Sequence, residues 1–434
     1  MKTAFILCAT SALASVWLAG AARADEVQML DAPVIPLADV TFKSGQTTAL
    51  SVGYGSGATH RAGEDAGLIY TITDRGPNIA CDEAKDLTGA DTDAMCAGDK
   101  DGKIFPVPAF DPTIYALRIE GEKVSVAGAY PLLGTDGKKL SGISVPLAKN
   151  PTEKPYAADG SAMAQNPNGF DSESLARLAD GSFWISDEYG PSISHVAGDG
   201  KVLDRLVPAG TEGDYAQADY PVHGKLPAIL VKRELNRGLE SIAVSPDEAT
   251  LYFVMQSPLA NPDEAAFKSS RLLRLFSFDR KAEAVKHEYV YQIDTPDMFK
   301  ADNAKKARKQ GDVKVSEMAA IGPDRLLVLE RISKTTLLYE VDLAGATPLP
   351  ARFDDVATKP SLEQLKSEDL AAAGIVPLKK TLIFNSDDHA GMPDKIEGVA
   401  VIDPKTLVLV TDNDFGIDGA KTKMVRVTLD KPLN

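Results

Sequence analysis

Four glutamates, Glu173, Glu240, Glu317 and Glu397, stand at the head of four similar segments. Each is followed by a short apolar strand, a turn built on Asp with Pro or Gly, a second apolar strand and a polar or acidic end, such as Asp187-Glu188 or Asp412-Asn413-Asp414. Carboxylates gathered at one place repel one another unless a cation or a basic group sits among them. An all-oxygen set suits a hard divalent ion, Ca2+ before Mg2+. The five histidines, at 60, 195, 223, 287 and 389, are scattered, which argues against zinc. The competing reading makes each glutamate structural, satisfying the backbone of a neighbouring unit or pairing with an arginine.

Arginines accompany the acids in Asp74-Arg75, Asn236-Arg237 and Glu330-Arg331. A guanidinium holds phosphate or carboxylate bidentately, so Arg75, Arg237 and Arg331 are the candidate substrate binders, with salt bridging between repeats the equal alternative. A bound metal lowers the pKa of an attacking water, and Asp187 or Asp412 is the candidate general base. Other constellations are weaker. The Gly-rich run around Ser56 lacks the G-x-S-x-G spacing of a nucleophile elbow, and its glycines fit close packing of strands. Asp99, Asp101 and Gly102 lack EF-hand spacing and read as a turn. Asp387-Asp388-His389 reads as a surface loop before a metal or base site, and Trp184 as core.

These residues need a scaffold that brings distant segments together. Each repeat is a β-hairpin signature, and a further alternating pair of strands follows it. Hairpin plus hairpin gives a four-stranded antiparallel sheet. The glutamates are 67, 77 and 80 residues apart, so the sheets carry long insertions. A fifth, degenerate copy runs from Ser51 through Asp74-Arg75. The fold expected is all-β, a propeller of four-stranded antiparallel blades with five cycles visible; six blades stay compatible with the wide gap from Ser51 to Glu173. Val34 to Phe42 is expected to close the ring as an outer strand of the last blade. Residues 296–310 and 361–374 read as mildly helical insertions, with Ser361 as N-cap and Gly374 as stop.

Of the 434 residues, 47 are Lys or Arg and 62 Asp or Glu, a net charge of −15. That balance excludes a nucleic-acid binder or a polybasic membrane-surface protein. Residues 1–24, with a basic start, an apolar run and Ala22-Arg23-Ala24 before Asp25, read as a secretory signal peptide. The remainder, 25–434, is expected to be one exported domain, periplasmic or secreted, a monomer with no membrane span. Two cysteines remain, Cys81 and Cys96. In an oxidising compartment they are expected to pair, stabilising a polar loop by roughly 3 kcal/mol.

The motifs Asp74-Arg-Gly-Pro-Asn78, Phe170-Asp-Ser-Glu173, Trp184-Ile-Ser-Asp-Glu188-Tyr-Gly-Pro191, Asn236-Arg-Gly-Leu-Glu240, Leu329-Glu-Arg331 and Glu397-Gly-Val through Asp412-Asn-Asp-Phe415 resemble the phytase-like family described by esterase-like activity. The resemblance implies a propeller and an extracytoplasmic home, and it links the chain to calcium-dependent β-propeller phytases. The glutamate-headed inner strand is also similar to that of propeller lactonases. The reading adopted is a metal-dependent, Ca2+-binding hydrolase of small anionic phosphate esters or other esters. The alternatives are an exported binding or scaffold propeller without enzymatic activity, and a lactonase.

Overall fold

Each glutamate-headed segment folds as the hairpin its pattern predicts. In a computed structural model, which describes residues 25–434, the pairs are Ser172–Arg177 with Phe183–Asp187, Leu239–Val244 with Thr250–Met255, Lys314–Gly322 with Arg325–Arg331, and Ile396–Asp403 with Thr406–Thr411. The degenerate copy pairs Gly57–Thr59 with Leu68–Ile72. The expected leader, residues 1–24, lies outside the described residues. The turns carry the left-handed backbone that tight hairpins require, as at Gly181 (φ 87°), where no Cβ opposes it.

Further antiparallel strands extend each hairpin to a four-stranded sheet, and one sheet gains a fifth, parallel strand, Val222–Leu226. The innermost strands of the five sheets neighbour one another in chain order, and the last, Ile396–Asp403, returns to the first, Gly57–Thr59. The chain is mostly β, in many small antiparallel sheets arranged in a propeller-like way.

Five apolar layers glue these sheets face to face. Trp184, Ile193 and Leu206 pack against Ile242, Phe253 and Phe276, and Val254, Leu275 and Tyr291 against Met318, Val328 and Leu337. Equivalent layers join the remaining neighbours. Trp184 is core, as expected, stacked on His195 with 5.0 Å between ring centroids. Close approach at the axis depends on glycine. A Cβ on Gly55 would lie 2.1 Å from the Thr411 carbonyl oxygen, and one on Gly57 would lie 2.5 Å from that of Glu173.

The strand that joins the C-terminal sheet is not Val34 to Phe42. Glu26–Leu30 takes that place, pairing antiparallel with Met424–Thr428. Pro36–Thr41 instead pairs with Thr47–Ser51. Val40, Phe42 and Leu50 turn into a separate apolar cluster with Cys81, Met95 and Cys96, and that burial draws the segment away from the ring. Cys81 and Cys96 form the disulfide, with Cα atoms 6.1 Å apart. The wide gap before Glu173 holds this cluster and a small three-stranded sheet rather than another four-stranded one.

The insertion at 296–310 contains the short helix Lys300–Asn303. Asp387 tethers it, accepting from the backbone amides of Lys300 (2.9 Å) and Ala301 (3.3 Å). That gives the Asp387-Asp388-His389 segment an anchoring role, while His389 stacks on Phe384. The insertion at 361–374 is helical only in short pieces, the 3-10 turns Leu362–Gln364 and Ser367–Asp369, with Ser361 in the N-cap position as expected, its amide donating to Gln364 Oε1 (3.1 Å), and left-handed Gly374 (φ 76°) at the end. Polar anchors hold it flat on the sheet: Ser361 Oγ donates to the Asn261 carbonyl (2.6 Å), and Glu363 pairs with Arg274 (3.1 Å).

That anchor sets a pH dependence. Arg274, fully buried, serves both Glu363 and Glu288 (2.7 Å), with Asp354 alongside at 3.6 Å. Burial, only partly offset by Arg274, pushes the Glu288 carboxyl from 4.5 up to about 8. A folded-state value above the unfolded one means stability that is complete below about 4.5 and is lost as pH rises through about 8. The wild-type Tm should therefore fall between pH 5 and pH 9, and Glu288→Gln should flatten that fall. Equal slopes in thermal scans of the two proteins would refute it.

Candidate functional site

The ladder register explains what reaches the axis. In three inner strands the glutamate occupies a β-bulge and is skipped by the pairing: Glu173 between Ser172 and Ser174, Glu240 between Leu239 and Ser241, Glu397 between Ile396 and Gly398. In the fourth the skipped residue is Ser316, and Glu317 is paired with Leu329 one position later. Because side chains alternate along a strand, one residue of slip sends Glu317 to the other face.

Glu173, Glu240 and Glu397 each place a carboxylate oxygen within 4.8 Å of the others. They are 7, 3 and 9% exposed. Glu317 is not brought to this cluster. Its carboxylate accepts from the amides of Ala58 (3.0 Å) and Met318 (2.9 Å) and from Ser174 Oγ, so it ties neighbouring sheets together.

The second strands repeat the logic. The residue after each pairing partner lines a cavity of about 300 Å3: Glu188, Gln256, Arg331 and Asp412. Asp74 comes from the degenerate copy. Asp187, one residue earlier than Glu188, pairs across the ladder with Ser172. It faces Arg205 (2.9 Å) and accepts from the amides of Asp171 and Gly190 (both 2.8 Å). Burial raises its pKa to about 6, but it lies outside this cavity and serves as a buried structural partner. Asp412 does line the cavity, and its Oδ1 is buried with no hydrogen-bond partner.

Eight carboxylates and four cationic side chains line this space. Desolvation, and then the neighbouring acids, hold Asp74, Glu173 and Glu188 well above the ordinary carboxylate range. Burial also raises Asp412, against the pull of Lys395 and Arg331. Glu173 has no hydrogen-bond partner among the described residues, whereas Glu240 accepts from Gln256 (2.5 Å) and Ser316 (3.2 Å). A second triad, Asp74, Asp171 and Glu173, also lies within 4.8 Å. This donor set is all oxygen and crowded, and its chemistry fits a hard divalent cation.

The arginines divide by what they touch. Arg75, 2% exposed, is held by Glu153, by Asn236 and by Asp171 at 2.9 Å. Arg331 is fixed by Ser316 Oγ (2.7 Å), the Ile332 carbonyl (3.0 Å) and Glu397. Among the described residues Arg237 has a single partner, Gln256 Oε1 at 2.7 Å, which leaves most of its donors without one there. Sequence reasoning missed Lys314. Among the described residues no carboxylate lies within 4.0 Å of its amine, and burial, then Arg331 and Arg237, bring its pKa down to about 7. The signal was the repeat itself: Lys314 pairs with Arg331 at the ladder position where Asp171 faces Glu188.

A family profile described as "Phytase-like: Esterase-like activity of phytase" matches residues 51–415. An uncharacterized secreted protein of Arthroderma benhamiae is 27% identical over 182 residues, covering 38% of this chain and 36% of that protein. The chain thus spans little more than a third of the length of this curated relative. Among solved structures, a luciferin-regenerating enzyme is 10% identical, with a TM-score of 0.33 over 91% of this chain and 95% of that one. The PQQ-bound aldose sugar dehydrogenase of Streptomyces coelicolor is 8% identical, with a TM-score of 0.32 over 94% and 98%. Virginiamycin B lyase of Staphylococcus aureus is 12% identical, with a TM-score of 0.31 over 93% and 99%. These are distant likenesses.

Proposed function

Because the chain belongs to the phytase-like family with esterase-like activity, we propose that it is an exported, metal-dependent hydrolase of phosphate esters or related anionic esters. The observation that carries this reading is the surplus of buried carboxylates around Glu173, which has no hydrogen-bond partner among the described residues, beside the two under-used cations Arg237 and Lys314. Its five sheets are read as the blades of one ring, five rather than six. An exported home accords with the disulfide and with the secreted relative.

Glu173, Glu240 and Glu397 are the residues to hold the cation, for which Ca2+ is the choice most compatible with carboxylate ligation. When bound, such an ion supplies Lewis acidity and acidifies water. Arg237 and Lys314 receive the anionic group of the substrate and orient it. Asp412, with an unpartnered oxygen in the cavity, accepts the proton of the attacking water. The water oxygen bonds to phosphorus or carbonyl carbon, the ester oxygen departs, and the proton returns to it as the alcohol forms. Arg75 and Arg331 keep the acidic walls in place.

The decisive experiment combines metal analysis of the purified protein with turnover of p-nitrophenyl phosphate, phytate, short carboxylesters and lactones, with and without chelator. Bound Ca2+ and chelator-sensitive hydrolysis of a phosphate ester or carboxylester are expected. Turnover of lactones alone would make the protein a lactonase. A calcium-loaded protein that turns over none of these would leave a scaffold.

A further inference from the structure

A second chamber adjoins the first. Its volume is about 410 Å3, and it shares Asn78 and Asp414 with the carboxylate cavity. Its far wall is the disulfide-closed segment, through Glu83 and Leu87, and its remaining lining is Ala80, Lys103, Lys395, Ile417 and the exposed Asp418. Two features give it a chemistry of its own. Leu87, Ala80 and Ile417 offer apolar surface. Lys395 is already paired with Asp414, but among the described residues no carboxylate lies within 4.0 Å of the Lys103 amine. Against burial, which raises it, Arg75 and then Lys103 hold the carboxyl of Glu153, the buried partner of Arg75, below its ordinary value.

We propose that this chamber is the leaving-group pocket of the hydrolytic site, selecting esters whose departing alcohol carries an apolar face and an anionic group for Lys103. The proposal rests on the hydrolase reading above. The cavity around Glu173 takes the part of the substrate that water attacks, and the alcohol portion extends past Asn78 and Asp414. The disulfide matters here because it fixes a polar segment that no large core would hold: the helix Ala84–Thr88, which carries Leu87, has only one turn and a bit of its own. Leu87 and Lys103 therefore set specificity without touching the reacting atoms.

The test uses the full mature protein with Ca2+. It measures turnover of 4-carboxyphenyl phosphate and phenyl phosphate, and calorimetric binding of 4-hydroxybenzoate, the free leaving group. The wild type should prefer the carboxylated ester. Lys103→Met should lose about tenfold in kcat/KM on that ester, the size of one charge-assisted hydrogen bond, and leave phenyl phosphate unchanged, while Lys103→Arg restores the preference. Leu87→Trp, which fills the chamber, should weaken both esters and abolish binding of 4-hydroxybenzoate. Equal wild-type rates on the two esters, or a Lys103→Met protein that loses activity on both alike with Tm unaltered, would overturn the pocket and leave the hydrolase. Binding of 4-hydroxybenzoate that Lys103→Met removes, in a protein that turns over neither these esters nor any ester of the panel above, would keep the chamber as an anion-binding pocket and sink the hydrolase reading. No binding, with turnover of other esters on that panel, would overturn the pocket alone, and neither binding nor any turnover would overturn both.

Discussion

If the protein is the calcium-dependent hydrolase proposed above, Glu173→Gln should raise the melting temperature of the metal-free protein, yet remove stabilisation by calcium and lower kcat on the order of 10^3-fold. The opposite signs are the point. In the absence of a cation, Glu173 is a carboxylate with no hydrogen-bond partner, held among Asp171, Glu240 and Glu188, which together with burial disfavour its charge. An isosteric amide removes that repulsion and stabilises the apo fold. The same change deletes a charged oxygen ligand, so calcium no longer raises the Tm by mass action. A glutamate that merely capped a loop would behave in the reverse manner, with Gln lowering stability and leaving the calcium response intact. Thermal scans with and without calcium distinguish the two, and Glu317→Gln is the internal control. Its carboxylate already accepts from two amides and a hydroxyl, so replacing it should destabilise the protein at any calcium concentration.

Arg75→Met should cost about 3–5 kcal/mol of stability, the penalty for leaving buried charges without their counterpart. Glu153 and Asp171 are each 3% exposed, and both lean on this one guanidinium. The side chain also fixes Asn236, whose backbone is held left-handed at φ 59°, next to the cation Arg237. Loss of Arg75 therefore loosens one wall of the cavity as well as the fold. Chemical denaturation measures the loss, with Arg237→Met as the comparison. Arg237 has one hydrogen-bond partner, so its removal should reduce substrate affinity with far less effect on stability. Similar destabilisation by the two substitutions would contradict this division of labour.

Much of the architecture was legible because each repeat announces a hairpin through its turn chemistry and apolar runs, and because equal cycles must stack in equivalent places. The positions of the glutamates followed from the same pattern, three of four reaching the shared cavity. What the linear pattern could not reveal was the bulge. An extra residue in a strand leaves no compositional mark, so Ser316 and Glu317 look interchangeable in the alignment while their side chains lie on opposite faces. Asp187 and Glu188 are an analogous adjacent pair, and the acid chosen as a base was the one turned toward Arg205. Lys314 escaped notice because a lone lysine before a strand usually means only solvent. The ring-closing segment was misplaced by a few residues because Val40 and Phe42 had a better apolar destination beside the disulfide. Helical spacing at 361–374 yielded only short 3-10 turns, because two side-chain anchors hold the chain against the sheet.

The skipped residues have an evolutionary consequence. No ladder hydrogen bond depends on them, so their side chains can be exchanged without disturbing strand pairing, and what constrains them is the set of side chains they meet in the cavity. Ser316 occupies the same register position as Glu173, Glu240 and Glu397, so one codon change there would install a fourth acid, at the expense of the hydrogen bonds Ser316 makes with Arg331 and Glu240. The charge of the cavity can thus be retuned one position at a time while the sheets stay paired.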